Sequence, residues 1–154
     1  MAAIVVIAHQ PLASALEQSA RHVFSRDPRC AEFRLRALDV EPDADLALLD
    51  ERVRKLVTEA DEGHGVLVLT DCLGATPANA AARMARPGQV EVIAGVNLPM
   101  LLRALCYCDT SLQALAEKAL AGGTRGIAAV GPAPPPDRQS GVKDNDLARL
   151  QDQQ

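Results

Sequence analysis

A short segment in the middle of the chain, residues 65–79 (GVLVLTDCLGATPAN), constrains the fold more than any other. Its VLVL run is unbroken and apolar, which is typical of a strand buried on both faces. Gly74 then allows a tight turn, and Thr76 followed by Pro77 is typical of a helix start, with Thr76 as the expected cap. We therefore predict a buried strand, a turn and a helix, with Asp71 just past the carboxyl end of the strand.

The N-terminal segment has the same organisation. Residues 3–8 (AIVVIA) are another apolar run, His9 stands at its end, and Pro11 opens a stretch with apolar residues at helical spacing. In a doubly wound parallel sheet, the first and third strands commonly lie side by side and their helices leave on opposite faces. His9 and Asp71 would then meet at the crevice between these strands. Free amides at the helix start near Thr76 would lie beside them and suit an anion.

The rest of the chain continues the alternation of strands and helices. We predict an α/β fold with three layers and a doubly wound, mainly parallel sheet of order 2-1-3-4, followed by a short last strand. The further strands are expected at residues 33–38, 90–94 and 126–130, and the further helices at residues 46–62, 78–86, 98–107 and 112–121, the last ended by Gly122 and Gly123.

Length and composition limit the architecture and the partners. The 154 residues predict one domain, residues 1–131, followed by a Pro-rich polar tail, residues 132–154, that is expected to be disordered. A net charge of −4 and an aromatic content of only 2% argue against a nucleic-acid partner, because they offer neither a basic surface nor stacking platforms. The N-terminal apolar run is too short to span a membrane, so we expect a cytoplasmic location.

The cysteines and the remaining histidines offer little chemistry. The four cysteines form no CxxC pair, so we expect free thiols, no zinc site and a small buried thiol at Cys72. His22 is expected in a helix and His64 in an exposed loop. Neither is a strong candidate for a site.

His9, Asp71 and the helix start at Thr76 each have an ordinary interpretation when taken alone. They fit a half-exposed strand end, a turn residue and a helix cap. Together, they suit a covalent phosphoryl carrier. A carboxylate that binds one imidazole nitrogen fixes the tautomer, leaves the other nitrogen free to attack phosphorus and stabilises the resulting cation. Helix amides and the Thr76 hydroxyl can hold phosphoryl oxygens, so no metal or other cofactor is required.

Three blocks of sequence carry a resemblance to a known family. These are IVVIAHQPLA, LVLTDCLGATPANAAARM and VEVIAGVNLPMLLRAL, and they occur in the order and spacing of that family. The chain resembles, over about residues 2–130, the mannose-family IIA component of the bacterial phosphoenolpyruvate-dependent sugar phosphotransferase system.

The resemblance implies a flavodoxin-like histidine phosphocarrier that forms a homodimer. Such a protein accepts phosphate from the carrier protein HPr and passes it to a IIB component for sugar uptake, so it meets the membrane only through the permease. His9 matches the phosphorylated histidine and Asp71 its carboxylate partner. Gly74, Ala75 and Thr76 match the phosphoryl-binding loop, where the family often has glycine-glycine-serine. A short last strand at residues 126–130 could be exchanged between two copies of the chain, which also favours a dimer.

Three alternatives remain at this stage. A regulatory phosphoprotein without a transport role would carry the same site residues. The phosphotransferase subunit of dihydroxyacetone kinase is a near relative, although the VIAGVNLPML block favours the mannose branch. A receiver-like domain phosphorylated on Asp71 would need an acidic pair after the first strand to bind magnesium, and His9 and Gln10 stand there instead.

Overall fold

A computed structural model of the chain describes residues 1–133, and these residues form alternating strands and helices. The predicted tail lies outside the described residues from position 134 on. The elements, in chain order, are β1 (Ala3–His9), α1 (Leu12–Val23), a short 3-10 helix (Pro28–Glu32), β2 (Leu35–Val40), α2 (Leu46–Ala60), β3 (Val66–Thr70), α3 (Thr76–Ala82), β4 (Val90–Ala94), α4 (Leu98–Cys106) and α5 (Leu112–Arg125).

The strands form one parallel sheet with the order β2-β1-β3-β4. The predicted order is therefore confirmed, and β1 and β3 are neighbours in the middle of the sheet. In the register of this pair, Ile7 lies opposite Thr70, so both strands end at the same edge. The last residue of β1, His9, thus comes close to the residue that follows β3, Asp71.

Helices cover both faces of the sheet, which confirms the three-layer prediction. Apolar residues of α1, α4 and α5 pack on one face, and those of α2 and α3 pack on the other. The helices that follow β1 and β3 therefore lie on opposite faces, as a doubly wound sheet requires. The two cores are aliphatic except for Phe24 and Phe33, whose rings meet edge to face with centroids 5.1 Å apart. Each large side chain that is fully buried contributes about 1.5–3 kcal/mol.

The helices α4 and α5 are in close contact, and this contact explains a wrong prediction. Gly122 and Gly123 do not end α5, which continues to Arg125. A Cβ atom at Gly123 would lie 2.6 Å from Cε of Met100 and 3.0 Å from its Cβ. The Gly123 carbonyl also accepts a 3.0 Å hydrogen bond from the side chain of Asn97, the residue that caps α4. These glycines therefore permit close packing of two helices rather than a helix end.

The predicted last strand at residues 126–130 is wrong for the single chain. Gly126 closes α5, and residues 127–130 have no strand structure and are exposed. Because α5 continues past its glycines, little chain remains before the proline-rich segment. In the described part of the chain, β4 has β3 as its one strand neighbour, and its other edge is paired only at Val90, by an antiparallel bridge to Arg86.

Within residues 1–133, no helix is long and apolar enough to cross a membrane. The other predicted element bounds hold to within a few residues. The largest shift is in α3, which ends at Ala82 rather than near Arg86. Its shortness matters for the site, because a seven-residue helix has a small dipole.

Candidate functional site

His9 and Asp71 are in direct contact at the carboxyl edge of the sheet. Nδ1 of the His9 ring lies 2.6 Å from Oδ2 of Asp71. The backbone N–H of His9 donates to the same oxygen at 2.9 Å. The structure therefore brings together the two residues that the sequence analysis paired, and it fixes both the ring and the main chain of His9 on one carboxylate oxygen.

The second carboxylate oxygen of Asp71 also accepts a hydrogen bond. Its Oδ1 accepts a 2.8 Å hydrogen bond from the backbone N–H of Cys72. Burial raises the pKa of the Asp71 carboxyl, but the hydrogen bonds from His9 and Cys72 together outweigh it, so this pKa lies below its ordinary value. Asp71 is therefore ionised at neutral pH.

The ionised carboxylate determines the tautomer of the His9 ring. A carboxylate without a proton can only accept, so Nδ1 of His9 must carry the hydrogen in this contact. The other ring nitrogen, Nε2, then holds a free lone pair when the ring is neutral. The side chain of His9 is 52% exposed, whereas that of Asp71 is 8% exposed. A buried anchor thus presents an accessible nucleophile to solvent.

The connection after β3 is a tight turn next to this pair. Gly74 has φ +84°, a conformation that a side chain disfavours, and the N–H of Ala75 donates to the Cys72 carbonyl at 3.1 Å. The side chain of Asn79 donates to the Gly74 carbonyl at 3.1 Å, which holds the turn against α3. Within residues 1–133, the amides of Gly74 and Thr76 donate to no acceptor.

The predicted helix cap at Thr76 is wrong. Thr76 is the first residue of α3, the cap position belongs to Ala75, and no side chain makes a cap hydrogen bond there. Pro77 in the first turn has no backbone N–H, so one of the donors that a cap would otherwise serve is absent. The hydroxyl of Thr76, which is exposed, is therefore not engaged in capping.

Two further side chains lie near the turn, those of Cys72 and Thr70. Cys72 is exposed, so the expected buried thiol is wrong at this position, and all four cysteines are free. Thr70, the last residue of β3, is fully buried, and its hydroxyl has no hydrogen-bond partner among the described residues. Strand alternation places Thr70 on the same face of the sheet as Ile7 and His9.

The connection between β4 and α4 supports Asp71 from the other side. The N–H of Gly95 donates to the Asp71 carbonyl at 2.6 Å, and the N–H of Val96 donates to the Thr70 carbonyl at 2.9 Å. Asn97 then caps α4 by accepting from the Met100 N–H. The GVNLPM segment thus fixes the end of β3 and begins the next helix.

On the side of β2, the connection that carries His9 is held by a contact that the sequence analysis did not predict. The carboxylate of Asp39 accepts from the N–H of Ser14 at 3.0 Å and from its hydroxyl at 2.6 Å. The N–H of Gln10 donates to the Val40 carbonyl at 3.0 Å. A sequence signal exists in retrospect, because α1 begins after Pro11, which has no side-chain acceptor, and Asp39 is the last residue but one of the neighbouring strand β2.

The other candidate groups do not join the site. His22 lies in α1, and His64 precedes β3 at the opposite edge of the sheet, and both are exposed. Within residues 1–133, no group of three or more histidine, cysteine or acidic residues could hold a metal ion.

Comparison with known proteins gives consistent matches. The profile of the EIIA-man family, described as the PTS system fructose IIA component, matches residues 3–120. The fructose-specific EIIA component of Bacillus subtilis (strain 168) is 32% identical over 106 residues, which cover 68% of this chain and 69% of that protein. The mannose-specific EIIAB component of Escherichia coli (strain K12) is 35% identical over 96 residues, which cover 60% of this chain but only 30% of that longer protein.

Solved structures share the fold at low sequence identity. The phosphotransferase system component EIIA from Streptococcus agalactiae superposes with a TM-score of 0.71 at 20% identity, covering 84% of this chain and 97% of that one. The mannose/sorbose specific IIA subunit from Enterococcus faecalis also gives 0.71 at 20% identity, with 86% and 97% covered. At this identity the likeness shows the flavodoxin-like fold alone. The profile match and the Bacillus relative carry the assignment further: the chain belongs to the EIIA-man family and is an EIIA component of the mannose/fructose type of the phosphotransferase system.

Proposed function

We propose that this protein carries a phosphoryl group on Nε2 of His9. The observation that supports the proposal most is the 2.6 Å contact between His9 Nδ1 and Asp71 Oδ2, which leaves Nε2 as the free and exposed nucleophile. Membership of the EIIA-man family supports the same chemistry. His9 and Asp71 are the proposed catalytic residues.

In the proposed transfer, the lone pair of His9 Nε2 attacks the phosphorus of the donor. The Nε2–P bond forms as the donor's bond to phosphorus breaks, and the donor atom leaves with that electron pair. The proton on Nδ1 stays in place, so the His9 ring becomes cationic. Asp71 stabilises this cation because it is ionised and already bound to Nδ1. The reverse step, toward an acceptor, returns the electron pair to Nε2.

The turn after β3 is the proposed binding site for the phosphoryl oxygens. Gly74, Ala75 and Thr76 follow Asp71 closely, and the amides of Gly74 and Thr76 have no other acceptor within residues 1–133. The exposed Thr76 hydroxyl would add a donor. Hydrogen bonds of this kind stabilise charge that develops on transferring oxygens.

The proposed partners follow from the family. We expect phospho-HPr as the donor and a IIB component as the acceptor, with sugar uptake as the purpose and the cytoplasm as the location. The curated relatives are named for fructose and mannose, and those names describe the relatives. The sugar itself would be bound by the permease components.

A phosphorylation assay tests this function. We expect that phosphoenolpyruvate, enzyme I and HPr together label the wild-type protein, and that H9A abolishes the label. H64A, which removes an exposed histidine at the opposite edge of the sheet, is the matched control and should be labelled normally. Equal labelling of H9A and wild type would contradict the proposal. Transfer from the labelled protein to a IIB component tests the second step.

D71N separates the role of the carboxylate from that of the histidine. An amide can present a donor or an acceptor to the ring, so it no longer fixes the tautomer, and it cannot stabilise the cation. We expect transfer to slow by a factor on the order of tens or more while the fold persists. A wild-type rate in D71N would reduce Asp71 to a structural residue.

We also propose that the protein is a homodimer. Beyond the bridge between Val90 and Arg86, the outer edge of β4 is unpaired in the described chain, and the apolar residues Val92 and Ile93 of this strand are only half-buried. Near the end of the described chain, Ile127 is 77% exposed and Val130 is 96% exposed. Residues 126–130 of one copy, with the helices before them, would cover apolar surface of the other copy.

A further inference from the structure

His9 ends β1, and the segment formed by His9 and the connection to α1, residues 10–11, is attached to both neighbouring strands. We propose that Asp39, at the end of β2, is a positioning residue that fixes His9 for phosphoryl transfer by holding the start of α1. The part of this proposal that concerns transfer rests on the proposed function. The part that concerns the His9 ring stands on geometry alone.

Asp39 supplies a helix cap that the first turn of α1 lacks. The cap position of α1 is Pro11, which makes no side-chain cap hydrogen bond. Asp39 instead reaches from the adjacent strand and accepts from the N–H of Ser14, the third residue of the helix, which is where a cap normally binds. The exposed amides of a helix start also favour a negative charge at this position.

The second contact of Asp39 extends this attachment. The Ser14 hydroxyl lies 2.6 Å from Asp39 Oδ2 and 3.1 Å from the Pro11 carbonyl. A hydroxyl has one proton, so it donates to the carboxylate, which is the closer and charged acceptor. Ser14 and Asp39 are both partly buried, which keeps water from competing for this bond.

His9 is therefore fixed directly by the carboxylate of Asp71 and indirectly, through the start of α1, by the carboxylate of Asp39. From β3, Asp71 accepts from the N–H and the ring of His9. From β2, Asp39 holds the helix that begins three residues after His9, and the Gln10 N–H donates to the Val40 carbonyl. If the Asp39 contact is lost, the start of α1 can shift, and only the backbone pairing with Val40 then holds the segment around His9 on the β2 side.

A small shift would matter because transfer requires Nε2 to approach phosphorus in line. A displacement of about 1 Å of a reacting group can cost on the order of a hundredfold in rate. We expect D39A to slow transfer at saturating donor by about tenfold or more, and to change the apparent affinity for the donor much less. The reason is that Asp39 affects the position of His9 but does not belong to the exposed surface around His9 that the donor would contact.

D39N provides a conservative rescue. An asparagine oxygen can still accept from the Ser14 N–H, and its amide nitrogen can donate to the Ser14 hydroxyl. The hydroxyl proton would then turn to the Pro11 carbonyl, which is already 3.1 Å away. We therefore expect D39N to transfer within a fewfold of the wild-type rate.

D45A is the matched control for loss of a cap. Asp45 caps α2 by accepting from the Leu48 N–H at 3.0 Å. D45A therefore also removes an aspartate cap, but from a helix that does not follow His9 in the chain. D45A and D39A should lower the urea midpoint to a similar extent. D45A should leave the transfer rate unchanged.

The decisive readout is the proton on His9 Nδ1, observed by NMR in the unphosphorylated full-length protein. In the wild type this proton is hydrogen-bonded to Asp71 and should give a slowly exchanging downfield resonance. D39A should broaden or shift it, whereas D39N and D45A should retain it. A wild-type resonance and a wild-type transfer rate in D39A would show that Asp39 is only a helix cap and would overturn the proposal.

If D39A does not fold, D39L takes its place, because leucine keeps a side chain of similar size but accepts no hydrogen bond from Ser14. An unchanged His9 resonance in D39L would then overturn the proposal, and a broadened or shifted one would support it. If the wild type accepts no phosphate from HPr, the proposed function fails, and the Nδ1 resonance alone decides the role of Asp39.

Discussion

At the scale of single residues, Asp71 has the clearest energetic consequence. Its carboxyl has a lowered pKa in the folded protein because hydrogen bonds from His9 and Cys72 outweigh its burial. A group with a lowered folded pKa adds stability at pH values above its unfolded pKa, about 3.9 for aspartate, and this stability is lost as the pH falls toward the folded pKa. The His9–Asp71 contact should therefore persist at neutral pH and weaken in acid.

We predict that D71N reduces the acid dependence of stability. The urea midpoint of the wild type should fall between pH 6 and pH 3, and that of D71N should fall less, because the variant has no carboxylate to protonate at this position. D43N, at an exposed turn position, serves as the control and should follow the wild type. An equal fall in D71N and wild type would contradict the ionised, hydrogen-bonded state of Asp71.

Thr70 presents the opposite case, a polar group whose removal should not harm the fold. Its buried hydroxyl has no partner among the described residues, and such a group costs about 1–3 kcal/mol. T70V replaces it with a methyl group of similar shape, so the free energy of unfolding should stay equal or rise by up to about that amount. V68T, which adds a hydroxyl two residues earlier on the same buried face, should lower it. A clear loss of stability in T70V would mean that an internal water binds the hydroxyl.

The sequence predicts the main pair of the site because both residues follow buried apolar runs. His9 and Asp71 each end such a run, and parallel strands bring their carboxyl ends to one edge. The wrong cap at Thr76 came from local preference, which could not place the helix start to within one residue. Asp39 was missed because its role depends on a contact with Ser14, 25 residues away, and Asn79 was missed because its bond to the Gly74 carbonyl depends on the conformation of the turn.

At the scale of elements, the packing of α4 on α5 shows how one residue type supports two interpretations. Gly122 and Gly123 have the composition of a helix end, but a Cβ atom at either would approach α4 to within 2.6 Å. Only the tertiary contact distinguishes a helix end from a close crossing, and sequence periodicity carries no information on it. The same error shortened the predicted helix and left residues 126–130 for a strand that the single chain does not form.

We predict that G123A destabilises the protein despite its favourable effect on helix propensity. Alanine is a better helix former than glycine by about 1 kcal/mol. Overpacking against Met100 costs about 1–3 kcal/mol, so a net loss of about 1 kcal/mol is expected. G131A is the control, since a Cβ there meets no atom within 4 Å, and it should be neutral. Urea denaturation measures both, and a more stable G123A would contradict the close contact.

At the scale of the whole molecule, the sheet order and the layering were predictable because they follow from the alternation of strands and helices. The assembly is a separate question, since the edge of β4 beyond Val90 and the exposed Ile127 and Val130 belong to surfaces that a single chain leaves open. A second copy of the chain could cover them.

We predict a dimer by sedimentation at micromolar concentration. Truncation after Gly126 should shift the protein toward a monomer, because it removes the exposed apolar residues that follow α5. Truncation after Gly131 is the matched control and should leave the dimer intact. A full-length protein that is only monomeric would contradict the proposed assembly and leave the phosphocarrier proposal standing.

The central claim concerns one atom, Nε2 of His9, and one measurement tests it most directly. The protein is phosphorylated with phosphoenolpyruvate, enzyme I and HPr, and the position of the phosphoryl group is determined by NMR on protein labelled with ¹⁵N in its histidines. We expect a phosphoramidate on His9 Nε2, with Nδ1 still protonated and bound to Asp71. A phosphoryl group on His9 Nδ1, on Asp71 or on another histidine would contradict the account.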